Sequence, residues 1–367
     1  MKRLFLPLFI IITINAHAQQ RLQPGFDAKE YATLLSLAFY SSSVSDSLKK
    51  TGVKDPYRMD YRGEEVGLKN RWTFYLREDN VGVIDLRGTV NALASWLANF
   101  YAAMIPATGR LQLNDTLIFD YQLAANPRAT VHVGWTIALG HLAPDIARQI
   151  NTAYTKGHTK EFLIFGHSQG GALAFLLRSY LEYERIKGHI PADVVFKTYC
   201  SAAPKPGNIY YAYDFDFITR NGWAFTVVNA ADWVPETPFS VQTLDDFNKP
   251  NPFDDIKPYL RKQKFLIRMA GNSVYGKLER KPRKAQKKFE KYLGHTIYKR
   301  AVKKVLPQLR EPVYAHDNNY VRAGVPIVLM PTGEYQEKIV AGKNQVFIHH
   351  SYQAYTFLLA AHYLSMQ

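Results

Sequence analysis

The strongest constraint on the fold is the stretch FLIFGHSQGGALAF at residues 162–175. One apolar run ends at Gly166 and a second begins after Gly170, with Ser168 midway between the two glycines. This G-x-S-x-G pattern is informative where a strand passes directly into a helix, as the flanking apolar runs indicate. Such a turn strains the serine backbone, and side chains at the glycine positions would collide with neighbouring elements. The stretch predicts a nucleophile elbow of Gly166, His167 and Gly170 that lifts the Ser168 hydroxyl above a sheet.

Apolar runs alternate with helical periodicities over the first two thirds of the chain. Helical spacing occurs over residues 27–40, 92–104, 136–154 and 171–187, and strand-like runs are WTFYL, VGVIDL, TVHVGW, FLIF, VVFKTYCSA and AFTVVNAA. This alternation predicts an α/β fold with a mostly parallel central sheet. Strands such as FLIF and FTVV are apolar on both faces, which indicates helices on both faces of the sheet. The alternation stops after Pro235.

A serine hydroxyl is a poor nucleophile unless a base removes its proton. In α/β hydrolases the chain order is serine, then an acid, then histidine. Asp232 follows an apolar strand in VVNAADWVPETP, which places it at the carboxyl edge of the sheet. Near the end of the chain, VFIHHSYQAY contains His349 and His350, and His316 is a third, less favoured candidate. We expect Ser168, Asp232 and one of these histidines to form a catalytic triad.

Acyl transfer also needs two amide donors for the oxyanion of the tetrahedral intermediate. Gln169 supplies one from its backbone because it directly follows the nucleophile. The second donor normally comes from a loop after an earlier strand, and VGVIDLRGTV has this form. Gly88 allows close approach there, and Thr89 has an amide and a hydroxyl to donate. We expect Thr89 and Gln169 to form the oxyanion hole.

Five motifs, in this order, resemble the class 3 lipases, the family of the fungal triacylglycerol lipases. They are LRGT followed by SWLANF, then VHVGW, GHSQGGALA, APKPGN and VVNAADWVPETP. The resemblance covers roughly residues 31–239 and the end near 349–355. It implies an α/β-hydrolase fold and a serine carboxylic ester hydrolase, a lipase or esterase. Acyl esters, with lipids foremost, are the expected substrates, cleaved through an acyl-enzyme intermediate.

The resemblance assigns roles to individual residues. It makes Ser168 the nucleophile, Asp232 the acid of the triad, and it gives the two oxyanion donors named above. The base stays open, because the H-S-x-x-x-Y pattern of many bacterial and plant members points to His350, whereas the fungal H-x-x-Y pattern points to His349. His350 is the preferred of the two.

The sequence departs from the pattern of the class 3 lipases in two respects, and the resemblance also implies a mobile lid. Gln169 replaces the usual leucine, and 118 residues separate Asp232 from His350, more than in most members. In this family the segment after the oxyanion turn often forms a helical lid, here around residues 90–101. Three apolar side chains there either cover the site or simply pack a helix, namely Trp96, Leu97 and Phe100.

The N-terminus, MKRLFLPLFIIITINAHAQQ, has the composition of a secretory signal peptide. We expect residues 1–18 to be removed, the mature chain to begin at Gln19, and the protein to be exported from a bacterial cytoplasm, to the periplasm or beyond. The single cysteine, Cys200, allows no internal disulfide, and we interpret it as a small buried hydrophobe.

The net charge of +15 is concentrated in one segment. Residues 257–310 contain eighteen Lys and Arg against two Glu, so the remainder of the chain is close to neutral. Lysines interleave there with apolar residues, which indicates amphipathic helices. We therefore divide the mature chain into a hydrolase core at 19–240, a basic, largely helical insertion at 241–345, and a C-terminal part of the core at 346–367 with the catalytic histidine.

Two interpretations of residues 257–310 remain open. One is docking on an anionic membrane or lipopolysaccharide surface, and the other is a solvated cap whose basic face binds nothing in particular. A nucleic-acid partner is not expected, because no recognised nucleic-acid motif accompanies the charge. No metal-ligand spacing, phosphate loop or dinucleotide fingerprint is present, so neither a metal nor a cofactor is expected.

Three functions are compatible with the sequence. The first is a secreted hydrolase of acyl lipids, and the second is an acyltransferase or non-lipid esterase on the same triad. The third is a non-catalytic lipid-surface binding protein on a hydrolase fold. The joint presence of serine, acid, histidine and oxyanion turn argues against the third, because a binding protein needs no nucleophile with its base.

Overall fold

The computed structural model of the chain describes residues 20–43, 53–54, 56–253, 256–340, 342 and 344–364. The predicted signal peptide and Gln19 lie outside these residues. No helix in the described part of the chain combines the length and the apolar character needed to cross a bilayer.

Every helix and strand predicted up to residue 229 is present. The helices are α1 (Ala28–Ser43), α2 (Leu93–Phe100), α3 (Val133–Thr155), α4 (Gln169–Ile186) and α5 (Ile209–Ile218). The strands are β1 (Val53–Lys54), β2 (Tyr57–Arg62), β3 (Trp72–Arg77), β4 (Gly82–Leu86), β5 (Met104–Pro106), β6 (Thr108–Gln112), β7 (Ile118–Gln122), β8 (Thr130–His132), β9 (Glu161–His167), β10 (Val195–Ser201) and β11 (Ala224–Asn229). The strands β1, β2, β5, β6 and β7 and the helix α5 were not predicted.

Helices dominate the rest of the described chain, and one strand lies among them. The α-helices are α6 (Ile256–Arg261), α7 (Phe265–Phe289), α8 (Lys303–Val305), α9 (Gly333–Lys338) and α10 (Tyr352–Leu359), with the strand β12 at Val325–Leu329 between α8 and α9. The π-helical turns are Glu290–Thr296, Tyr298–Val302 and Ala360–Leu364, and the 3-10 turns are Val234–Glu236, Leu244–Asp246 and Ile348–His350.

The central sheet has the strand order β1-β2-β3-β4-β9-β10-β11-β12 in the described residues. Strands β4, β9, β10, β11 and β12 run parallel to one another, and β1 to β4 form an antiparallel extension. Two small hairpin-like pairs, β5 with β8 and β6 with β7, lie outside it. The predicted mostly parallel sheet is confirmed, and the architecture is that of an α/β hydrolase.

Two cores cover the two faces of the sheet, because successive strand residues point to opposite sides. Phe162 and Ile164 of β9 pack with α3, α4 and α5, whereas Leu163 and Phe165 pack with α1 and α10. Cys200 is fully buried in the first core. The predicted helices on both faces are therefore confirmed.

The helix at VHVGW begins earlier than the sequence indicates. The strand β8 ends at His132, and α3 starts at Val133, three residues before the predicted start at Thr136. The physical reason is a cap, because Nδ1 of His132 accepts a hydrogen bond of 3.3 Å from the backbone amide of Trp135.

The main sheet also takes a strand from the segment expected to be a helical insertion. β12 pairs with β11 from Phe225↔Val325 to Asn229↔Leu329, so the core resumes by residue 325 and not at 346. The strand lies at the edge of the sheet and is mostly exposed. Pro326 weakens the strand signal of residues 325–329 in the sequence, although proline is tolerated on an edge strand.

Helix α2 packs against α3, and the two approach each other most closely at Gly134. A Cβ atom at Gly134 would overlap the carbonyl oxygen of Ala98 and press on that of Tyr101. Contact this close fixes the position of α2, which carries the residues predicted to form a lid.

We expect Gly134→Ala to lower the free energy of unfolding by about 1–3 kcal/mol, because the added methyl forces α2 away from α3. Urea unfolding measures the change. Gly333→Ala is the control, since that site is open to solvent, and we expect a change of about 0.5 kcal/mol or less. Equal stabilities for the two variants would contradict the contact.

Candidate active site

Ser168 lies at a strained junction between β9 and α4. Its backbone has φ 62° and ψ −127°, a region that residues with a side chain rarely adopt. The Ser168 amide donates a 2.9 Å hydrogen bond to the carbonyl of Ser201 on β10, and its carbonyl accepts one of 3.1 Å from Ala172. Strain of this kind persists only where the surroundings enforce it, and it is frequent at functional sites.

At the two elbow positions, Gly166 and Gly170, there is no room for a side chain. A Cβ atom at Gly166 would overlap the carbonyl of Gly170, and one at Gly170 would overlap the carbonyl of Leu86 at the end of β4. The turn thus closes on itself and on the neighbouring strand, so the Ser168 side chain stands where β4 and β9 both end.

Asp232 and His350 form a hydrogen-bonded pair near this turn. Nδ1 of His350 lies 2.7 Å from Oδ2 of Asp232, which also accepts a 2.9 Å hydrogen bond from the Tyr355 hydroxyl. The other carboxylate oxygen accepts a 3.0 Å hydrogen bond from the amide of Val234. With Nδ1–H donating to the carboxylate, Nε2 is the acceptor of the ring, and it makes no hydrogen bond to any described residue. Ser168 and His350 line the same cavity.

The other two histidine candidates have different partners. Nδ1 of His349 bonds the Tyr335 hydroxyl at 2.7 Å, and the His349 carbonyl accepts a hydrogen bond from Asn229. His316 is exposed and bonds Glu290 at 2.7 Å. The geometry therefore favours His350 as the predicted base.

His167 has a positional role that the sequence analysis did not identify. Its Nε2–H donates to the His350 carbonyl at 3.0 Å, so Nδ1 accepts from the Ser201 hydroxyl at 2.9 Å, and Ser201 contacts the Tyr31 hydroxyl at 2.7 Å. Burial, with the nearby His350, lowers the pKa of His167 to about 3. A neutral imidazole therefore holds the backbone of His350 beside the elbow.

The predicted oxyanion turn lies against the elbow. A Cβ atom at Gly88 would press on the carbonyl of His167, so only glycine allows this approach. The Thr89 hydroxyl donates to Oε1 of Gln169 at 3.2 Å and accepts a 2.9 Å bond from Asn99. With that hydroxyl engaged, the backbone amides of Thr89 and Gln169 are the groups left for the predicted oxyanion role.

The side chain of Gln169, at the position where class 3 lipases usually have leucine, makes hydrogen bonds that a leucine could not make. It is buried, and its amide also lies within 3.4 Å of the Ser95 hydroxyl on α2. Asn99 in turn accepts a 3.0 Å hydrogen bond from the indole of Trp135. A polar network thus joins α2, α3 and the oxyanion turn, and no local sequence pattern indicates it beyond the glutamine itself.

An apolar cavity of about 740 Å³ opens over Ser168 and His350. Its lining includes aromatic and aliphatic side chains from several elements, namely Trp96, Phe100, Trp135, Trp233, Val234, Phe239, Leu293 and Phe347. Of the predicted lid residues, Trp96 and Phe100 line the cavity. Leu97 is buried and does not line it, so the structure does not support a covering role for Leu97.

Comparison with known proteins shows similarity to lipases. The profile of the family described as Lipase (class 3) matches residues 83–242. The secreted mono- and diacylglycerol lipase 1 of Fusarium solani is 28% identical over 180 residues, which is 48% of this chain and 46% of that protein. The match thus spans less than half of the length of this relative.

Solved lipase structures are similar to a smaller degree. A triacylglycerol lipase from Penicillium expansum is 17% identical, with 58% of this chain and 75% of that chain covered and a TM-score of 0.41. The Rhizomucor miehei lipase propeptide complex is 16% identical, with 59% and 65% covered and a TM-score of 0.40.

The neutral state of His167 predicts a dependence of stability on pH. Because the folded pKa lies below the unfolded value of about 6.5, the contribution of this group is complete above pH 6.5 and falls as the pH decreases towards 3. The substitution His167→Gln removes the imidazole that titrates. We expect the stability gap between wild type and variant to narrow by about 2 kcal/mol between pH 7 and pH 5, measured by urea unfolding.

The control for this experiment is His158→Gln, because His158 is exposed. The gap between wild type and this variant is expected to stay constant with pH. A constant gap for His167→Gln as well would show that His167 is not held neutral.

Proposed function

We propose that this chain, a member of the class 3 lipase family, hydrolyses carboxylic esters of lipids with Ser168 as nucleophile and His350 and Asp232 as its partners. The observation that carries the proposal is the Asp232–His350 pair. The second ring nitrogen of His350 has no hydrogen-bond partner among the described residues, and His350 lines the same apolar cavity as the elbow serine. Each part of this arrangement has a task in acyl transfer.

Attack begins with a proton transfer within the cavity. Nε2 of His350 takes the proton of the Ser168 hydroxyl, Oγ bonds to the ester carbonyl carbon, and the carbonyl electrons move to its oxygen. The amides of Thr89 and Gln169 receive this oxyanion, each contributing about 3–4 kcal/mol to the lowering of the barrier. Asp232 stabilises the imidazolium through the 2.7 Å hydrogen bond to Nδ1.

Collapse of the intermediate divides the substrate. His350 gives its proton to the alcohol oxygen, the carbon–oxygen bond breaks, and the acyl group stays on Ser168 as an ester. Water then attacks this acyl-enzyme with His350 again as base, and the carboxylic acid leaves. The Tyr355 hydroxyl, 2.9 Å from Asp232, keeps the carboxylate in position through both halves of the reaction.

Acyl lipids are the substrate class that the cavity fits. Its volume lies within the range of pockets for small ligands, and its lining is largely aromatic and aliphatic. The Fusarium relative is named for mono- and diacylglycerols and as secreted. We propose acylglycerols as the first substrates to test, and export of the chain to the periplasm or the medium. We also propose that Trp96 and Phe100 partly cover the cavity in water.

The basic segment at residues 257–310 supplies a surface for contact with lipid. Helix α7 leaves six large apolar side chains more than half exposed in its first fourteen residues, namely Phe265, Leu266, Ile267, Met269, Val274 and Leu278. Lysine and arginine dominate its second half. A helix with exposed apolar and cationic groups is suited to an anionic lipid interface, where each cation contributes about 1 kcal/mol.

The same helix leads to the mouth of the cavity. Phe289, the last residue of α7, stacks on Phe239 with ring centroids 6.1 Å apart, and Phe239 and Leu293 both line the cavity. We propose that residues 257–310 dock on an anionic membrane or lipopolysaccharide surface, and that docking brings the cavity to its substrate.

Single substitutions test the triad. We expect Ser168→Ala to lower kcat on p-nitrophenyl esters by on the order of a millionfold, and His350→Ala to cause a loss of similar order, because the triad acts as a unit. A panel of acyl chain lengths measures substrate preference, and we expect the longer chains to react faster. His349→Ala is the matched control, with activity expected within about tenfold of wild type. Wild-type-like turnover by Ser168→Ala would refute the assignment.

Charge reversal tests the docking surface. We expect Lys284→Glu/Lys288→Glu to weaken binding to phosphatidylglycerol-containing vesicles by about 30-fold or more, since the two lost cations amount to about 2 kcal/mol. Vesicle sedimentation measures binding, and turnover of a soluble short-chain ester should not change.

The matched control is Lys29→Glu/Lys156→Glu, which makes the same change of charge at two exposed lysines outside the segment. We expect this variant to bind as wild type does. An equal loss in both double variants would show that net charge, and not this surface, attracts the vesicles.

A further inference from the structure

A second cavity meets the candidate catalytic residues from the other side of the oxyanion turn. It has a volume of about 450 Å³ and lies between α1, the end of β4 and the start of α10. Thr89, Ser168 and His350 line both cavities. An ester bound at Ser168 thus has two spaces available, one for each half of the molecule.

The two spaces differ in chemistry. The larger one has the aromatic lining described above. The second one also has apolar residues from α1, but a larger share of its lining hydrogen-bonds or carries charge, namely Ser41, Arg62, Asp85, Arg87, Ser351 and Gln353. An acyl chain therefore fits the first cavity, and the second suits a polar group.

Among the residues that line the second cavity, Asp85 is the one that indicates a bound ligand. Its side chain is buried, and Oδ1 accepts no hydrogen bond from any residue in the described ranges. A buried polar atom without a partner is costly, and native structures rarely leave one without a reason. The Ser41 hydroxyl bonds the carboxyl group and Arg62 attracts it, yet burial dominates and raises the pKa of Asp85 to about 7. Near neutral pH the carboxyl group is available both to accept and to donate a hydrogen bond.

The register of the sheet sets the distance that a ligand must span between Ser168 and Asp85. Asp85 of β4 pairs with Phe165 of β9, three residues before Ser168. At about 3.3 Å per residue, its Cα lies roughly 10 Å below that of Ser168 along the strand. A methyl leaving group is too short to approach Asp85, whereas an alcohol with several carbons and hydroxyl groups extends towards it.

We infer that the second cavity holds the alcohol half of the ester, and that this half is a polyol with a free hydroxyl bonded to Asp85. The inference rests on the proposed function, because it specifies the substrate of that same site. His350 returns its proton to the leaving alcohol oxygen, so the alcohol half must lie beside His350. Both cavities meet this requirement, and the polar lining with Asp85 assigns the alcohol half to the second one. A site that is built to bond a hydroxyl disfavours substrates that lack it.

Esters with one acyl group and different alcohols test the inference. The probes are methyl octanoate, monooctanoylglycerol and octanoyl glucose, and the readout is the ratio of kcat/KM for each polyol ester to that for the methyl ester. We expect wild type to prefer at least one polyol ester by about tenfold or more. Asp85→Leu should lower that ratio by about 10- to 100-fold, because a neutral hydrogen bond is lost at little cost to the methyl ester.

Further variants separate recognition from folding. Asp85→Asn keeps a carbonyl oxygen and should retain most of the preference. Ala38→Phe should remove the preference by filling the cavity from α1. Thr198→Val is the matched control, since its hydroxyl is also buried without a partner among the described residues but lies on β10, outside the cavity lining, and the ratio should not change.

Two results overturn the inference. One is a wild-type enzyme that cleaves methyl octanoate as well as both polyol esters, and the other is a ratio that Asp85→Leu and Ala38→Phe leave unchanged while turnover continues. Wild type that cleaves none of the esters contradicts the proposed function itself and removes this inference with it.

Discussion

The positive φ of Ser168 is the constraint on which the rest of the site depends. It turns the chain from β9 into α4 within one residue, and it succeeds only because Gly166 and Gly170 leave room for each other and for the end of β4. The parallel pairing of β4 with β9 then places the oxyanion turn beside the serine. Because these contacts are backbone to backbone, side-chain changes elsewhere shift the elbow little.

A second set of contacts connects the elbow with distant parts of the chain. The hydrogen bonds from Tyr31 to Ser201, then to His167 and finally to the His350 carbonyl join α1, β10, β9 and the 3-10 turn before α10. His350, the predicted base, is thus held at two points: His167 bonds its backbone carbonyl and Asp232 bonds its ring. This double support explains how a histidine 118 residues beyond its acid partner is held in place despite the long intervening insertion.

The elements that the sequence predicted were those encoded by neighbouring residues. The alternation of strands and helices, the elbow around Ser168 and the oxyanion turn at Thr89 follow from local patterns of glycine and apolar residues. The choice between His349 and His350 depends on pairing with Asp232, and the strand β12 depends on pairing with β11 across the insertion. Neither pairing has a local signature, because adjacent histidines look alike in sequence and an edge strand with proline resembles a loop.

The most direct test is a crystal structure after reaction with an alkyl phosphonate. The account predicts phosphorus bonded to Oγ of Ser168, a phosphonyl oxygen within hydrogen-bond distance of the Thr89 and Gln169 amides, Nε2 of His350 near the leaving-group position, and the alkyl chain in the apolar cavity. Phosphorus on another residue, or a phosphonyl oxygen directed away from both amides, would contradict it.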